Sequence, residues 1–423
     1  LQEVEEKRTD VRVCNLSLMQ TDWYTEQMMM KAYESEPLPI KFREDQILMY
    51  AGNTDQVYFL SMFDLMNAGI SKETLEKLYK EKIKYNQVAF KTAFEQFQNN
   101  CNVLGNTIKA KNPTAQGRVD EIKKILTTPV TNPDYKNVDQ LMTSTLEVLV
   151  AYSNGMIDLP QGQAEQFQEF LKSWETSWDF LPIEKAMEFV RDDNNQINNN
   201  NGKLRVFPCK GFIVHVNKKN VIASGIVSKN RIQDIPSEIR FSMTQQAITR
   251  EQVMMLDVIA NNDWKRPIYF SSPGGSDVSI ALYTSGYVQQ NGIAYEFTPI
   301  QERSPFNKSR MLNNLTKIYT YGKMNQKGVL SDYYTRRHTS QYRDQFFRLA
   351  DAYLNEADEI RNNKSIYPGQ ISMLKAMGRT KSADSLQKIL INADKTIKDN
   401  KEFAIKLIKH SLKVMPIERV IDY

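Results

Sequence analysis

Asp22, Trp23 and Tyr24 place a carboxylate beside two aromatic rings, at the predicted junction of a strand and a helix. Aromatic faces can cover the apolar side of a sugar ring, and a carboxylate can accept hydrogen bonds from its hydroxyls. Ligands of open α/β sheets bind at the carboxyl ends of strands. The three residues are therefore candidates for sugar binding. The alternative is a helix cap followed by two core aromatics.

Asp192 and Asp193 form an acidic pair just before a polar loop that contains four asparagines, Asn198–Asn201. Carboxylate oxygens in a loop could hold a hard cation such as calcium or magnesium. However, the ligand spacing of a calcium-binding loop does not follow, and adjacent side chains rarely point the same way. The alternative is a solvated helix end. We predict no metal site and no cofactor for the chain.

Trp264, Lys265 and Arg266 form a basic segment that leads into a predicted strand. The two cations could hold a phosphate or a carboxylate of a ligand. The alternative is that Trp264 packs in the core while Lys265 and Arg266 remain solvated. Lys210 is a further candidate for ligand binding.

Ser271, Ser272, Gly274 and Gly275 lie at a predicted strand–turn–helix junction, and Asp277 follows as the predicted cap of the helix. Backbone amides at the start of a helix can cradle an anion. The segment matches neither a P-loop nor the glycine pattern of dinucleotide-binding folds. A tight turn without a ligand is the alternative.

Charge and apolar patterning exclude several classes of function. The net charge of +5 over 423 residues comes without a dense Lys/Arg stripe, so we predict no nucleic-acid partner. No apolar run reaches the ~20 residues that span a bilayer. The three cysteines and the three histidines are too widely spaced for a disulfide framework or a metal site.

Strands and helices alternate around the candidate residues, as hydrophobic periodicity and capping residues indicate. The predicted strands are Asp10–Met19, Leu204–Phe207, Phe212–Val216, Val221–Val227, Arg266–Ser272 and Ile293–Pro299. The predicted helices include one capped by Thr21 or Asp22, a long one capped by Ser71, and Pro182–Val190, Arg250–Ala260 and Val278–Val288.

Residues 249–300 read as helix, strand, glycine-rich turn, helix and strand, a pattern typical of an α/β layer. We predict an α/β fold with a small, mostly parallel sheet flanked by helices. Residues 1–340 would form this domain, with a helical insertion at about 71–190. Residues 341–423 would form an all-α region.

The all-α region has one motif of its own. Leu374, Gly378 and Ala383 have the spacing found at the turn of a tetratricopeptide hairpin, where small residues let two helices pack closely. We therefore predict a tetratricopeptide-like region. A plain helical bundle is the alternative.

Four stretches are similar to one known family: Arg12–Tyr24, Glu188–Lys210, Asn261–Phe270 and Gly292–Ile300. They resemble the carboxy-terminal half of a bacterial membrane-protein family of unknown function that is related to C-type glycosyltransferases. Relatives of that family include protein O-mannosyltransferases. In the family, the membrane half comes first, a soluble α/β region follows, and tetratricopeptide-like helices come last.

The resemblance implies a parent protein that is fixed in the inner membrane and uses a lipid-linked sugar donor. This chain would face the periplasm, with the membrane-embedded amino-terminal half of the same polypeptide as its partner. The catalytic carboxylate of the family lies in an early membrane-proximal loop, so the resemblance implies that the catalytic centre is absent from this chain. The chain would instead bind or position an acceptor protein or glycan. The chain opens inside an amphipathic stretch, Leu1–Glu6, which we interpret as a cut boundary.

Two other functions are compatible with the sequence. One is a self-standing α/β enzyme or binding protein for a sugar or nucleotide-like ligand, with Asp22, Asp192, Asp193 and Asp277 as its acidic residues. The other is an interaction module whose helical tail docks a peptide. Loss of a turnover in Asp22→Ala would favour the enzyme, and loss of partner capture on deletion of residues 341–423 would favour the module.

Overall fold

The computed structural model contains two compact units with helices and short strands in each. The residues described are 6–47, 56–130, 135–199, 202–301 and 306–419. Unit 1 comprises Leu1–Arg266 and Ser276–Ala281, and unit 2 comprises Pro267–Gly275 and Leu282–Tyr423. In the described ranges, no helix is both long and apolar enough to cross a membrane. That residues 341–423 form a domain of their own stays a prediction.

Unit 1 is mainly helical. Its helices are α1 (Asp22–Met28), α2 (Glu44–Ile47), α3 (Met62–Asn67), α4 (Lys72–Tyr85), α5 (Gln87–Thr107), α6 (Gln116–Thr127), α7 (Tyr135–Ser153), α8 (Gln163–Ser173), α9 (Ile183–Arg191), α10 (Lys218–Ser224) and α11 (Arg250–Asn262). Helix α12 (Asp277–Thr284) begins in unit 1 and ends in unit 2. Short 3-10 helices are found at Leu18–Gln20, Pro113–Ala115, Asp193–Asn195 and Lys229–Asp234.

The predicted helix start at Ser71 is confirmed, because its hydroxyl accepts the backbone amide of Thr74 at 3.3 Å. The long helix predicted from there is divided at Asn86 into α4 and α5. The Asn86 side chain donates to the carbonyl of Lys82 at 2.6 Å and to that of Phe180 at 2.8 Å. A side chain that bonds backbone groups in this way competes with the helical ladder.

Ten short strands form the described sheets of unit 1. They are β1 (Gln56–Phe59), β2 (Lys109–Ala110), β3 (Ile157–Asp158), β4 (Phe180–Pro182), β5 (Ile197–Asn199), β6 (Gly202–Leu204), β7 (Val206–Phe207), β8 (Gly211–His215), β9 (Glu238–Ser242) and β10 (Ala247–Thr249). Two sheets have three strands each, in the orders β10–β1–β7 and β4–β8–β9, and β2–β3 and β5–β6 form pairs.

The prediction of one mostly parallel sheet is wrong. Several small sheets form instead, and among the described strands only the pairs β1–β7 and β4–β8 are parallel. Parallel neighbours need a long crossover between them, as α9 supplies between β4 and β8. Hairpins such as β5–β6 have connections that allow antiparallel pairing alone.

The strands predicted at Asp10–Met19 and Val221–Val227 are also wrong. The first stretch pairs with no strand in the described chain and ends in a 3-10 helix. The second overlaps α10, which Asn217 caps by accepting the amide of Asn220 and which ends at Gly225, with φ +69°. The cap at Asn217 and the terminating Gly225 favour a helix, and they outweigh the preference of the β-branched residues in this stretch for a strand.

Aromatic side chains dominate the core of the helical part of unit 1. Trp178 is fully buried, and its ring lies 5.0 Å from that of Phe90 and 4.9 Å from that of Trp174. Trp174 also contacts Phe97 at 4.8 Å. These rings join α4 and α5 to the segment that follows α8, because Tyr79 of α4 packs edge-on against Trp178.

Unit 2 combines a three-stranded antiparallel sheet with long helices. The strands are β11 (Tyr269–Phe270), β12 (Val288–Gln290) and β13 (Tyr295–Phe297), in the order β11–β13–β12. The helices are α13 (Lys308–Asn313), α14 (Tyr333–Asn363), α15 (Tyr367–Ala376) and α16 (Thr380–Val414), with a π-helical turn at Asn314–Ile318 and a 3-10 turn at Ile417–Arg419.

The predicted all-α region is confirmed. Helices α14 and α16 pack along a core that includes Phe346, Leu349 and Leu407. Helices α15 and α16 form a hairpin whose turn lies at Gly378, with φ +71°, and Ala383 is fully buried within it. The tetratricopeptide-like classification of this region stays a prediction.

Candidate functional site

An open polar cleft of about 580 Å³ lies within unit 2, between one end of its sheet and the first half of α14. The sheet side is formed by Ser271, Gln290 and Tyr295. These residues converge because β13 is antiparallel to both neighbours, so that Tyr295 pairs with Phe270 and with Gln290. The start of one strand and the ends of two others thus meet at the cleft.

The helix side of the cleft is one face of α14. Gln341, Asp344, Gln345 and Arg348 line it at intervals of three and four residues, which places them on the same side of the helix. Phe347 also lines the cleft and is 38% exposed. The cleft wall therefore presents amides, an acid, a base and an accessible aromatic ring.

Two buried glutamines fix the floor of the cleft. The side-chain amide of Gln290 donates to the carbonyl of Gly292 at 2.8 Å and to the side-chain oxygen of Gln345. Gln345 in turn donates to the carbonyl of Gln341 at 3.1 Å. Because these amides are held by protein partners, they tie α14 to the sheet and set the width of the cleft.

The rim is less constrained than the floor. Arg348 donates through Nε to Asp344 at 2.6 Å, and both side chains are 49% exposed. The hydrogen bond that Arg348 donates to the Asp344 carboxylate raises the pKa of Arg348, so the guanidinium stays charged. Burial raises the pKa of Tyr295, whose phenol therefore keeps its proton at neutral pH. The rim offers donors and an acceptor that solvent still reaches.

A buried acid supports the hairpin behind the cleft. Glu296 accepts the hydroxyl of Tyr269 at 2.8 Å, the amide of Asn291 at 2.7 Å and the guanidinium of Arg310. Burial, followed by the charge of Glu296, raises the pKa of Tyr269. With its oxygens bonded on several sides, this carboxylate serves to hold β11, β12 and β13 together rather than to bind a ligand.

Of the residues predicted at the glycine-rich junction, Ser271 lines the cleft. Ser272 turns inward on its own loop and accepts the backbone amide of Gly274 at 3.2 Å. The amide of Gly275 donates to the carbonyl of Ser272 at 3.4 Å. Since these amides are used within the turn, they leave no cradle for an anion, and the tight-turn alternative describes the segment better.

The cap of α12 is one residue earlier than predicted. Ser276 accepts the backbone amide of Ser279 at 3.1 Å, which is the bond expected of a cap. Asp277 instead accepts side-chain amides from Gln245 at 3.0 Å and from Gln252 at 3.2 Å. Its carboxylate therefore joins α12 to α11 within unit 1.

Asp22, Trp23 and Tyr24 lie in the first turn of α1, but they do not follow a strand. Asp22 accepts the amide of Trp23 at 2.8 Å, and Trp23 is 54% exposed. Tyr24 is buried, where its hydroxyl accepts the amide of Asn15 and donates to the carbonyl of Val13. Tyr24 is thus structural, and sugar binding by the partly exposed Asp22 and the exposed Trp23 stays a prediction.

Asp192 and Asp193 face different partners. Asp192 accepts the backbone amide of Asn194 at 2.9 Å. Asp193 is held by Arg43 at 2.8 Å and Arg205 at 2.5 Å, and the hydrogen bonds from these two guanidiniums lower its pKa to about 2. Across the described residues, no group of three or more His, Cys, Asp or Glu side chains could hold a metal ion.

Trp264 packs in the core of unit 1, where its indole donates to the carbonyl of His215 at 2.8 Å. Its backbone is left-handed, with φ +58°. Arg266 donates to the hydroxyl of Ser35 at 2.9 Å, and Lys265 is exposed. The segment therefore matches the core alternative for Trp264, whereas Arg266 is a tether rather than a solvated cation.

Lys210 contacts a buried cluster of charged side chains that was not predicted from the sequence. Its backbone amide donates to Asp179 at 2.8 Å, and Asp179 accepts the ammonium of Lys82 at 2.6 Å. Lys82 has no exposed surface and also pairs with Glu175, which accepts the backbone amide of Met62 at 2.8 Å. We call Lys82, Glu175 and Asp179 the buried triad.

Desolvation and the charges within the buried triad act on its pKa values in opposite directions. Burial raises the pKa of Glu175 to about 7 and also raises that of Asp179. Burial lowers the pKa of Lys82, but the charges of the two carboxylates outweigh it and raise the pKa above its usual range. One sequence signal could have found the triad: Lys82 occupies an apolar-face position of α4, four residues after Leu78.

Comparison with known proteins places the chain in a family. Residues 1–315 match the family described as TMEM260-associated domain 2. The chain belongs to this family. The matched region contains unit 1 and the sheet of unit 2, and it ends before α14. Neither the comparison with curated proteins nor that with solved structures gives a match.

Proposed function

We propose that this chain is the periplasmic part of a membrane-embedded glycosyltransferase that uses a lipid-linked sugar donor, and that it binds or positions the acceptor. Its membership of a family associated with TMEM260 supports this proposal. So does the similarity of Arg12–Tyr24 and Asn261–Phe270 to the carboxy-terminal half of glycosyltransferase-like membrane proteins. The transfer itself would take place in the membrane-embedded half of the same polypeptide.

The observation that carries the proposal is the cleft of unit 2. Its rim combines the exposed ion pair of Asp344 and Arg348 with the phenol of Tyr295 and the ring of Phe347. A ligand rich in hydroxyl groups can donate to the carboxylate, accept from the guanidinium and place an apolar face against the aromatic ring. The volume is in the range of ~300–1,000 Å³ that is usual for small-ligand sites.

Binding to the purified chain tests this role. Mannobiose is a suitable probe, because the family resemblance includes protein O-mannosyltransferases. We expect ligand-observed NMR to detect binding to the wild-type chain. Asp344→Asn should weaken it about fivefold, roughly the ~1 kcal/mol of one hydrogen bond.

The same helix supplies a matched control. Asp358 and Arg361 form an exposed ion pair farther along α14, with side-chain exposures of 53% and 48%. Asp358→Asn should leave mannobiose binding unchanged. Equal effects of Asp344→Asn and Asp358→Asn, or no binding to the wild-type chain, would count against the cleft as the acceptor site.

A transfer assay separates positioning from catalysis. Under the proposal, the chain incubated with a lipid-linked mannose donor and an acceptor peptide forms no glycosylated peptide. Mass spectrometry of the peptide measures this directly. A product formed by the purified chain would overturn the non-catalytic role and favour a self-standing enzyme.

A further inference from the structure

A second cleft lies within unit 1, lined by α3, α7 and α8, with a volume of about 370 Å³. The buried side chains of Phe63, Leu149 and Leu171 form its floor. Leu146 and Val150 form its wall, and Val150 is 58% exposed. The inner surface of this cleft is therefore apolar, unlike that of the cleft in unit 2.

The rim of the apolar cleft is polar and carries one positive charge. Asn67, Gln168 and Lys172 stand there, all of them exposed. Within the part of the chain that the structure describes, these three side chains have neither a hydrogen-bond partner nor an ion-pair partner. Ser153, also at the rim, donates to the carbonyl of Leu149 at 3.0 Å. The rim thus offers donors to a ligand without first breaking protein contacts.

We propose that this cleft binds a single-chain anionic amphiphile, such as a fatty acid or an alkyl phosphate. The alkyl chain lies on the floor formed by Phe63, Leu149 and Leu171, where it removes apolar surface of both partners from water. The headgroup accepts hydrogen bonds from Lys172 and from the amides of Asn67 or Gln168.

The dimensions favour an alkyl chain over a protein segment. The volume is at the lower end of the ~300–1,000 Å³ found for small-ligand sites. A partner helix is about 10–12 Å wide with its side chains, so it would reach the floor with single side chains, whereas an alkyl chain can lie along it. A partner helix would also leave Lys172 without a buried anion, unless it carried an acid at that position.

This inference does not depend on the function proposed above. The apolar cleft lies in another unit, is lined by other residues and would bind an alkyl chain instead of a sugar. Failure of mannobiose to bind in unit 2 would leave it unchanged, and failure of the amphiphile to bind would leave the acceptor role unchanged.

Calorimetric titration of the full chain with n-dodecyl phosphate, below its critical micelle concentration, tests the inference. We expect saturable binding of one molecule per chain. Val150→Trp should lower the affinity at least tenfold, because the larger ring covers the wall of the cleft. Val103→Trp is the matched control, since Val103 is equally exposed, at 57%, on α5. Equal affinities of these two variants would overturn the proposal.

A second pair of variants tests the headgroup. Lys172→Gln should weaken binding of dodecyl phosphate three- to tenfold and leave binding of the uncharged dodecyl maltoside unchanged. Lys91→Gln, at an exposed lysine on α5, should alter neither. Tighter binding of dodecyl maltoside than of the phosphate, or an unchanged affinity in Lys172→Gln, would contradict an anionic ligand. Absence of binding to the wild-type chain would refute the site altogether.

Discussion

The buried triad of unit 1 and the rim of the cleft in unit 2 both contain acidic and basic side chains that pair, yet the paired side chains differ in exposure. Lys82 has no exposed surface, and Glu175 and Asp179 have little. Asp344 and Arg348 are each half exposed. In the triad every carboxylate also accepts a backbone amide, whereas Asp344 and Arg348 of the rim are hydrogen-bonded to each other.

This difference separates structural charges from available ones. A charge removed from water must be fully paired to be tolerated, so the triad is fixed in place and its loss is costly. An exposed pair contributes little to stability and can exchange its partners for those of a ligand. This contrast predicts large losses of stability from substitutions in the triad and small losses from substitutions at the rim.

The largest effect is expected from Lys82→Met, which leaves two carboxylates buried without their cation. Removing one partner of a buried pair costs roughly 3–5 kcal/mol. Urea denaturation followed by tryptophan fluorescence measures it, because all four tryptophans are in unit 1. Lys80→Met, at an exposed position on the same helix, should cost less than about 0.5 kcal/mol. A loss below ~1 kcal/mol in Lys82→Met would mean that solvent reaches the triad.

The second effect is a pH dependence of stability. Burial raises the pKa of Glu175 from 4.5 to about 7, so between these values the folded chain keeps a proton that the unfolded chain has released. The contribution of protonated Glu175 to the unfolding free energy is therefore complete below pH 4.5 and is lost as the pH rises through 7. The unfolding free energy of the wild type, relative to Glu175→Gln, should fall by at most ~1.4 kcal/mol per pH unit in this window.

The control for the pH series is Glu169→Gln, at an exposed glutamate on α8. Its stability should follow the wild type at every pH. A flat difference between wild type and Glu175→Gln from pH 4.5 to 7 would show that Glu175 is ionised throughout, and the triad would then resemble the exposed rim.

A smaller loss is expected from Gly292→Ala, which alters the turn behind the cleft. Gly292 has φ +114°, and a methyl group there would lie 2.4 Å from the hydroxyl of Tyr319. Strain of this kind costs about 1–3 kcal/mol. Thermal melting by far-UV circular dichroism measures it. Gly369→Ala, in α15, is the control. It should not lower the melting temperature, because the added carbon meets nothing within 4 Å. A wild-type melting temperature in Gly292→Ala would show that the turn can rearrange.

The smallest change is expected from Asp344→Asn, when stability rather than binding is measured. Exposed pairs four residues apart in a helix contribute ~0.3–0.5 kcal/mol. The melting temperature should therefore barely move, although mannobiose binding weakens. A loss comparable with that of Lys82→Met would show that the rim pair is structural, and the contrast between the two regions would disappear.

The sequence predicted local elements well where capping residues are explicit. Ser71 marks the start of α4 by accepting the amide of Thr74. The helix predicted at Arg250–Ala260 is α11, although the side chain of Thr249 makes no cap hydrogen bond there. The same reasoning failed at Asp10–Met19, because a strand requires a partner that its own residues do not specify. The prediction of mostly parallel strands failed for the same reason, since strand direction depends on which distant segments of the chain pair.

The candidate site was predicted in part. Ser271 was named from its turn, but its neighbours Tyr295 and Arg348 lie 24 and 77 residues away in the chain. Local spacing cannot bring such residues together. Lys82 and Glu175, 93 residues apart, escaped prediction for the same reason.

The length of α14 has a mechanical consequence. Its first half lines the cleft and also packs against α16 through Phe346, and its second half continues along α16. Arg348 and the last residue, Asn363, are separated by ~22 Å of continuous helix at 1.5 Å per residue. The cleft and the distal hairpin are therefore built on one continuous helix, and the packing of α14 against α16 also holds the helix wall of the cleft in place.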